Sequence, residues 1–302
     1  MKLRGLCTSV VNFKPQRYRD HKGSQRKNSC KSFKENSETY SNCSNILMNK
    51  KEKNNYNLTV REEIGFLSLD NPPENYLETP EFIPLDLLKD FIGTNPLRGM
   101  VICGVGRHFS AGAKLDNLYE LSADAEVLKI KMGQGQHLLS YIENIDIPVI
   151  AAIKGICFGG GLEIAFASHI RICSANALFA FPEVNHGMMP GLGGTMRSLQ
   201  ISRFPEVLKM ILSGDIVNAE EAVEMNLVDK ITPADPVEEA FLLLKKMTTD
   251  KPLKVIQSVM QAVRNSKTLP PAEALKEETR LFCELAAAIA IQRSSGSANG
   301  NE

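Results

Sequence analysis

The sequence predicts an α/β fold with a helical C-terminal part, and three observations predict it. Short apolar runs bounded by turn residues, such as Gly99 to Cys103 and Pro148 to Ile153, read as buried strands. Between them lie longer stretches in which apolar side chains recur at helical spacing. Beyond the segment Pro190-Gly191-Leu192-Gly193-Gly194 the helical pattern is almost unbroken. At 302 residues with 43% hydrophobic content, the chain can bury one sizeable core.

In chain order, residues 1–56 come first and carry thirteen basic and four acidic side chains, although the whole chain balances at 35 of each sign. This stretch is too poor in aliphatic residues to offset the entropy of ordering, so a disordered basic tail is expected. It reads as a solvated tail, as a transit peptide, or as sequence upstream of a start at Met48. Seven scattered cysteines without a C-x-x-C pair describe neither a disulfide framework nor a zinc site. No apolar run reaches the roughly 18 residues of a membrane span, and no secretory h-region is present. A cytoplasmic protein is expected, or a mitochondrial matrix one if the tail is a transit peptide, with no metal, membrane or nucleic-acid partner.

Residues 57–250 then read as the core. Thr59 to Leu69 suggests a hairpin around Glu62-Glu63, closed by the turn Asp70-Asn71-Pro72-Pro73. A helical pattern at Leu85, Leu87, Leu88 and Phe91 leads to the strand at Gly99 and a glycine-bearing loop from Gly104 to Gly112. Leu121 to Ile145 reads as one long amphipathic helix, and Gly160 to Ser168 as a helix opening on glycines. His169 to Cys173 and Ala177 to Phe181 are expected as short strands. Helices are expected over 195–213, 218–225, 235–249, 252–265 and 271–292, with one strand near Val228 to Ile231.

Two glutamates carry the chemistry. Glu163 follows the triplet Gly159-Gly160-Gly161, Glu183 lies in Phe181-Pro182-Glu183, and the stretch between them is nearly free of other ionisable groups, holding only His169 and Arg171 among Ile, Ala, Phe and Cys. Two carboxylates converging on one site can take a proton and return it, as the addition or removal of water requires. A glycine triplet opening a helix bares N–H groups that favour an oxyanion. The small residues of His108-Phe109-Ser110-Ala111-Gly112-Ala113 would let a second N–H reach the same atom. Each feature also has a plain structural reading: close helix packing, a turn, a first-turn acid favoured by the helix dipole, a surface acid. No Gly-Lys-Ser/Thr ending and no G-x-G-x-x-G is present, so a nucleotide site is excluded.

These residues resemble the enoyl-CoA hydratase/isomerase (crotonase) family: the loop His108 to Ala113, Ile150 to Glu163, and Phe181 to Thr195 stand in the family's order and spacing. The similarity spans about residues 57–280. It implies a crotonase-like spiral of repeated β-β-α units and a helical C-terminal region, residues 251–293, that builds trimers or hexamers. It implies acyl-CoA substrates and no cofactor, coenzyme A entering only as part of the substrate. By motif, Ala111 and Gly160 would be the oxyanion-hole amides, Glu163 and Glu183 the catalytic acids, and Phe109, Ala113, Lys114 and Gly191 substrate-binding positions. Because the family's isomerases generally keep only the second acid, both acids together imply a hydratase. The rivals are an isomerase or decarboxylase on the same fold, and a member that binds acyl thioesters without turning them over.

The chain departs from the family's pattern at several points. Lys114 stands where an aspartate usually follows Ala-Gly-Ala, so helix capping there would fall to Asp116 or be lost, at about 1 kcal/mol. The lysine would pair with a coenzyme phosphate or stand in solvent. His169 replaces an aspartate, and His186 an apolar residue close enough to Glu183 to perturb it or bind substrate, a hydrogen-bonded structural histidine being its plainer reading. The usual acidic turn and final Phe and Lys-Arg segment are missing after Leu281. That segment helps relatives close the coenzyme site, which makes an acyl carrier protein an alternative donor.

Overall fold

The computed structural model describes residues 54–298. All but the last three residues of the expected basic tail lie outside the described residues, and Tyr56 already begins the first strand. Strands β1 (Tyr56–Arg61) and β2 (Ile64–Leu69) pair antiparallel as the expected hairpin. Its two-residue turn puts Glu62 and Glu63 at positive φ, as the twist of a tight hairpin demands. Both carboxylates are tied down, Glu63 by Arg98 at 2.9 Å and Glu62 by Lys245 at 3.1 Å.

After helix α1 (Leu85–Thr94), β3 (Gly99–Gly104) lies parallel to β2. Helices α2 (Leu115–Ser122) and α3 (Ala125–Asn144) lead to β4 (Val149–Ile153), β5 (Ile156–Phe158) and α4 (Gly160–Ala167). Then come β6 (Ile170–Ser174), β7 (Leu178–Ala180) and a 3-10 helix, Pro182–His186. Helices α5 (Gly194–Ile201) and α6 (Phe204–Ser213), strand β8 (Val217–Asn218), α7 (Ala219–Glu224) and β9 (Lys230–Thr232) follow. The chain ends in α8 (Pro236–Thr248), α9 (Leu253–Thr268) and α10 (Pro271–Ala298).

The strands form a six-stranded sheet, β1-β2-β3-β4-β6-β9, parallel from β2 onward, and a small sheet, β5-β7-β8. β4–β5–α4 and then β6–β7 with the 3-10 helix each add one strand to either sheet, which is the β-β-α spiral. Both faces of the large sheet are covered. Ile102, Ala151 and Ile153 join the main core with Leu138, Leu139 and Ile142 of α3. Val101, Ile150, Ala152 and Ile172 meet Phe241 and Leu244 of α8 on the other face. That double burial is why these strands read as continuous apolar runs rather than alternating ones.

Two expected helices are each divided. The stretch 121–145 holds the last two residues of α2 and then α3, and the break is capped: the Asp124 side chain accepts from Glu126 N (3.0 Å) and Val127 N (3.1 Å). The stretch 195–213 is α5 and α6, divided before Pro205, which fits a first turn but not a helix interior. β5, β8 and the 3-10 helix are too short for periodicity to reveal. Cys103, Cys157, Cys173 and Cys283 are free thiols. Among the described residues no helix is long and apolar enough to cross a membrane.

Candidate active site

The loop that leaves β3 and the turn that leaves β5 are brought together by topology, since β3 and β4 are neighbours in the sheet. Phe158 N donates to Ser110 O at 2.9 Å, and Ser110 bridges to Cys157. Gly112 (φ +87°) presses on the start of α4: a Cβ there would lie 2.8 Å from Phe158 O and 3.2 Å from Gly160 N. Only glycine combines that backbone angle with that approach.

Glu163, in the first turn of the buried helix α4, is 2% exposed. Its Oε1 accepts the N–H groups of Leu192 and Gly194, both at 2.7 Å. The segment Pro190–Gly194 is therefore wrapped around a carboxylate. Gly193 makes the wrap possible at φ +101°, and a Cβ on Gly194 would come within 2.9 Å of Glu163 Cγ.

Glu183 sits near the start of the 3-10 helix, against Gly159, where a Cβ would lie 2.8 Å from its Oε1. Its Oε2 is buried without a hydrogen-bond partner. Burial pushes Glu163 up to about 7, against the N–H groups of Gly194 and Leu192 and the charge of Arg197. Burial likewise pushes Glu183 up to about 7, opposed by its own N–H and reinforced by the charge of Glu163. Both acids are therefore poised at the same place. Their asymmetry lies in partners: two amides stabilise an anionic Glu163, and nothing comparable holds an anionic Glu183.

Both carboxylates line a cavity of about 350 Å³ whose far wall is apolar, with Leu121, Leu128, Met132 and Met189. A second hollow of about 480 Å³ meets it at Ala113, Lys114, Leu118, Glu183 and Met188, and adds Tyr76 and His186.

The oxyanion assignment needs a correction. Ala111 N donates to Glu74 O at 2.9 Å, so that amide is already engaged, and Gly112 N donates to Ser110 Oγ at 3.1 Å. Ala113 N has no such acceptor among the described residues, and Ala113 lines the cavity together with Gly160. As the first residue of α4, Gly160 also has an N–H without a helical acceptor. The amide pair at the cavity is thus Ala113 and Gly160. The left-handed turn at Gly112 redirects the chain between residues 111 and 113, which the bare sequence does not show.

Phe109 is also corrected. It is 0% exposed, part of the main core and not of the cavity wall. Gly191 and Lys114 do line the cavity. The Gly191 carbonyl accepts from Gln136 Nε2 at 2.8 Å, and a Cβ on Gly191 would collide with Met132 Cε. Lys114 is the N-cap residue of α2 and contributes no side-chain cap; Asp116 lies in the first turn and does not replace it.

His169 is structural: its Nδ1 accepts Val149 N–H at 2.9 Å, which leaves Nε2 as the donor toward Glu143 O at 3.2 Å. Burial lowers its pKa, in keeping with a neutral ring. His186 is exposed, at the wall of the second hollow. Among the described residues no group of three or more His, Cys, Asp or Glu is placed to hold a metal ion.

Residues 59–298 match the family model described as enoyl-CoA hydratase/isomerase. The chain belongs to that family. Within the enoyl-CoA hydratase/isomerase family, a "Probable enoyl-CoA hydratase" of Bacillus subtilis (strain 168) is 33% identical over 234 residues, 76% of this chain and 90% of the relative. The fatty acid oxidation complex subunit alpha of Shewanella amazonensis is 36% identical over 211 residues, and the chain spans 29% of its length. Among solved structures, an enoyl-CoA hydratase from Thermoplasma volcanium superposes with a TM-score of 0.68 at 28% identity, covering 78% of this chain and 93% of that one. Pseudomonas aeruginosa DspI superposes with a TM-score of 0.73 at 24% identity over 80% of this chain and 99% of its own, a likeness of fold alone. The architecture is the crotonase fold.

Proposed function

We propose that this protein is an enoyl-thioester hydratase, adding water reversibly to a 2-enoyl-CoA to give a 3-hydroxyacyl-CoA. One observation carries the reading: the buried carboxylate of Glu163 and the half-buried one of Glu183 share an apolar cavity with two available main-chain N–H groups, and burial raises both acids to about 7. The thioester oxygen accepts from Ala113 and Gly160, and each donor that binds the developing enolate more tightly contributes about 3 kcal/mol. Glu163, anionic on its two amides, takes a proton from water as the oxygen bonds to C3. The π electrons pass through C2 toward the thioester oxygen, and Glu183 then delivers its proton to C2. Exchange of protons with solvent restores both groups.

Loss of the ultraviolet absorbance of a conjugated enoyl thioester tests this directly. Turnover should follow a bell centred near pH 7, falling at low pH as Glu163 is protonated and at high pH as Glu183 ionises. No turnover on coenzyme A or carrier-protein thioesters at any pH would remove the hydratase reading.

The names of the relatives support a coenzyme A thioester as substrate, with a carrier-protein thioester as the alternative. A homotrimer or homohexamer agrees with the exposed apolar side chains of α6 and α10, among them Leu212 at 67% and Phe282 at 71%. A cytoplasmic or mitochondrial matrix location belongs to the same reading. A second reaction, double-bond isomerisation, draws on His186 beside Glu183 in the second hollow; product analysis separates the two, since only hydration places oxygen on C3.

The apolar wall takes the acyl chain. Met132→Ala should shift the preference toward longer chains, roughly tenfold in kcat/KM per added methylene accommodated, as measured on a series of enoyl thioesters.

A further inference from the structure

Arg197 lies outside the cavity wall and 2% exposed, yet it holds the groups that hold Glu163. Its Nη1 donates to Leu192 O at 2.8 Å, while the N–H of that same Leu192 donates to Glu163. Its Nε donates to Glu143 Oε2 at 2.9 Å, and its Nη2 reaches Ser140 Oγ at 3.4 Å, both on α3. Its own N–H donates to Gly193 O at 2.9 Å. Every residue from Leu192 to Gly194 is therefore tied either to Arg197 or to Glu163. A Cβ on Gly193 would strike the guanidinium, so the turn is moulded onto it.

We propose that Arg197, with Glu143 as its anchor, is the positioning residue that holds the carboxylate of Glu163 in place and sets how readily it ionises. The inference rests on the reading of Glu163 as the base, but one of its readouts, the titration of the Glu163 carboxyl, needs no turnover. A planar guanidinium reaches Leu192, Glu143 and Ser140 at once, which an ammonium does not. The charged or titratable groups bearing on Glu163 are Glu183 from the 3-10 helix and Arg197 from α5, with Glu143 of α3 acting through Arg197. The guanidinium favours the Glu163 anion, and the Glu143 carboxylate offsets part of that effect.

The experiment compares Arg197→Lys, Arg197→Met and Glu143→Gln, with Arg264→Met as a control that removes a different arginine contact to α3, that with Asn144 O and the neighbouring Asp146. Turnover is read with KM, and the Glu163 carboxyl is titrated by 13C NMR. Arg197→Lys should lower kcat about 100-fold through misplacement of the carboxylate, with KM within about threefold of wild type. Arg197→Met should move the Glu163 titration upward by about one pH unit, and Glu143→Gln should move it downward by less. Opposite directions are the signature, because a general loosening of the fold would shift both variants the same way. Arg264→Met should leave the titration in place.

If Arg197→Met does not fold, Arg197→Lys and Glu143→Gln decide alone. An unmoved titration in Glu143→Gln, or a kcat for Arg197→Lys within twofold of wild type, overturns the proposal. A wild-type protein without turnover removes the hydratase reading, and the direction of the titration shifts then decides the role of Arg197 by itself.

Discussion

Glu163→Gln and Glu183→Gln should each lower turnover by about 1000-fold, the scale of a lost general acid or base, and Glu163→Gln should make the protein more stable at pH 8. The sign follows from burial. Glu163 titrates near 7 in the folded protein, whereas an unfolded glutamate titrates near 4.3. Its contribution to stability is fully present below pH ~4.3 and is lost as the pH rises through about 7. Above that, the native state carries a buried carboxylate that its two amides do not fully compensate, at a cost of up to ~4 kcal/mol.

A neutral glutamine removes the cost and keeps an oxygen for Leu192 and Gly194. Thermal melts of wild type and variant at pH 5 and pH 8 check this. The variant should gain at pH 8 and gain little at pH 5. A loss of stability at both, together with lost activity, would mean that Glu163 is a structural residue of the turn.

Gly112→Ala should be the most damaging single methyl group in the site. The residue has φ +87°, and the added carbon would meet the Phe158 carbonyl at 2.8 Å, so neither the backbone nor its neighbour can yield cheaply. Left-handed strain alone costs an L-residue about 1–2 kcal/mol, and the backbone contact adds to it. Any relief pushes the 108–113 loop from α4 and widens the gap between the Ala113 and Gly160 amides. Gly106→Ala is the matched control, since Gly106 has φ +82° and nothing within 4 Å of the added carbon. Denaturant unfolding should show both variants destabilised, Gly112→Ala by about 2 kcal/mol more. Turnover should fall more than tenfold only for Gly112→Ala. Equal losses of stability and full activity in both would show that the loop gives way without disturbing the amides.

Much of the architecture was legible because it depends on local pattern. The hairpin at Glu62-Glu63, the buried strands and the helix opening at Gly160 each follow from spacing and turn residues within a few positions. The missed breaks also had local signals, Asp124 as a capping acid and Pro205 as a residue that starts helices but does not continue them. Phe109 and Ala111 were misread for a different reason. Phe109 enters the core where its N–H donates to Lys154 O at 2.8 Å, across forty-five positions, and which amide faces the cavity depends on a left-handed turn at Gly112.

Arg197 shows the limit most plainly. In the sequence it is one charged residue on a helix, with no spacing that points to Glu163, thirty-four positions earlier. By itself, the sequence singled out the two acids and the glycine triplet as the candidates for chemistry, because such groups in apolar segments are costly to bury without a use. The tertiary structure decided which oxygen is held, which amide is available and what cation stands behind them. Those are matters of a few tenths of an ångström between segments far apart in the chain, and only packing fixes distances of that kind.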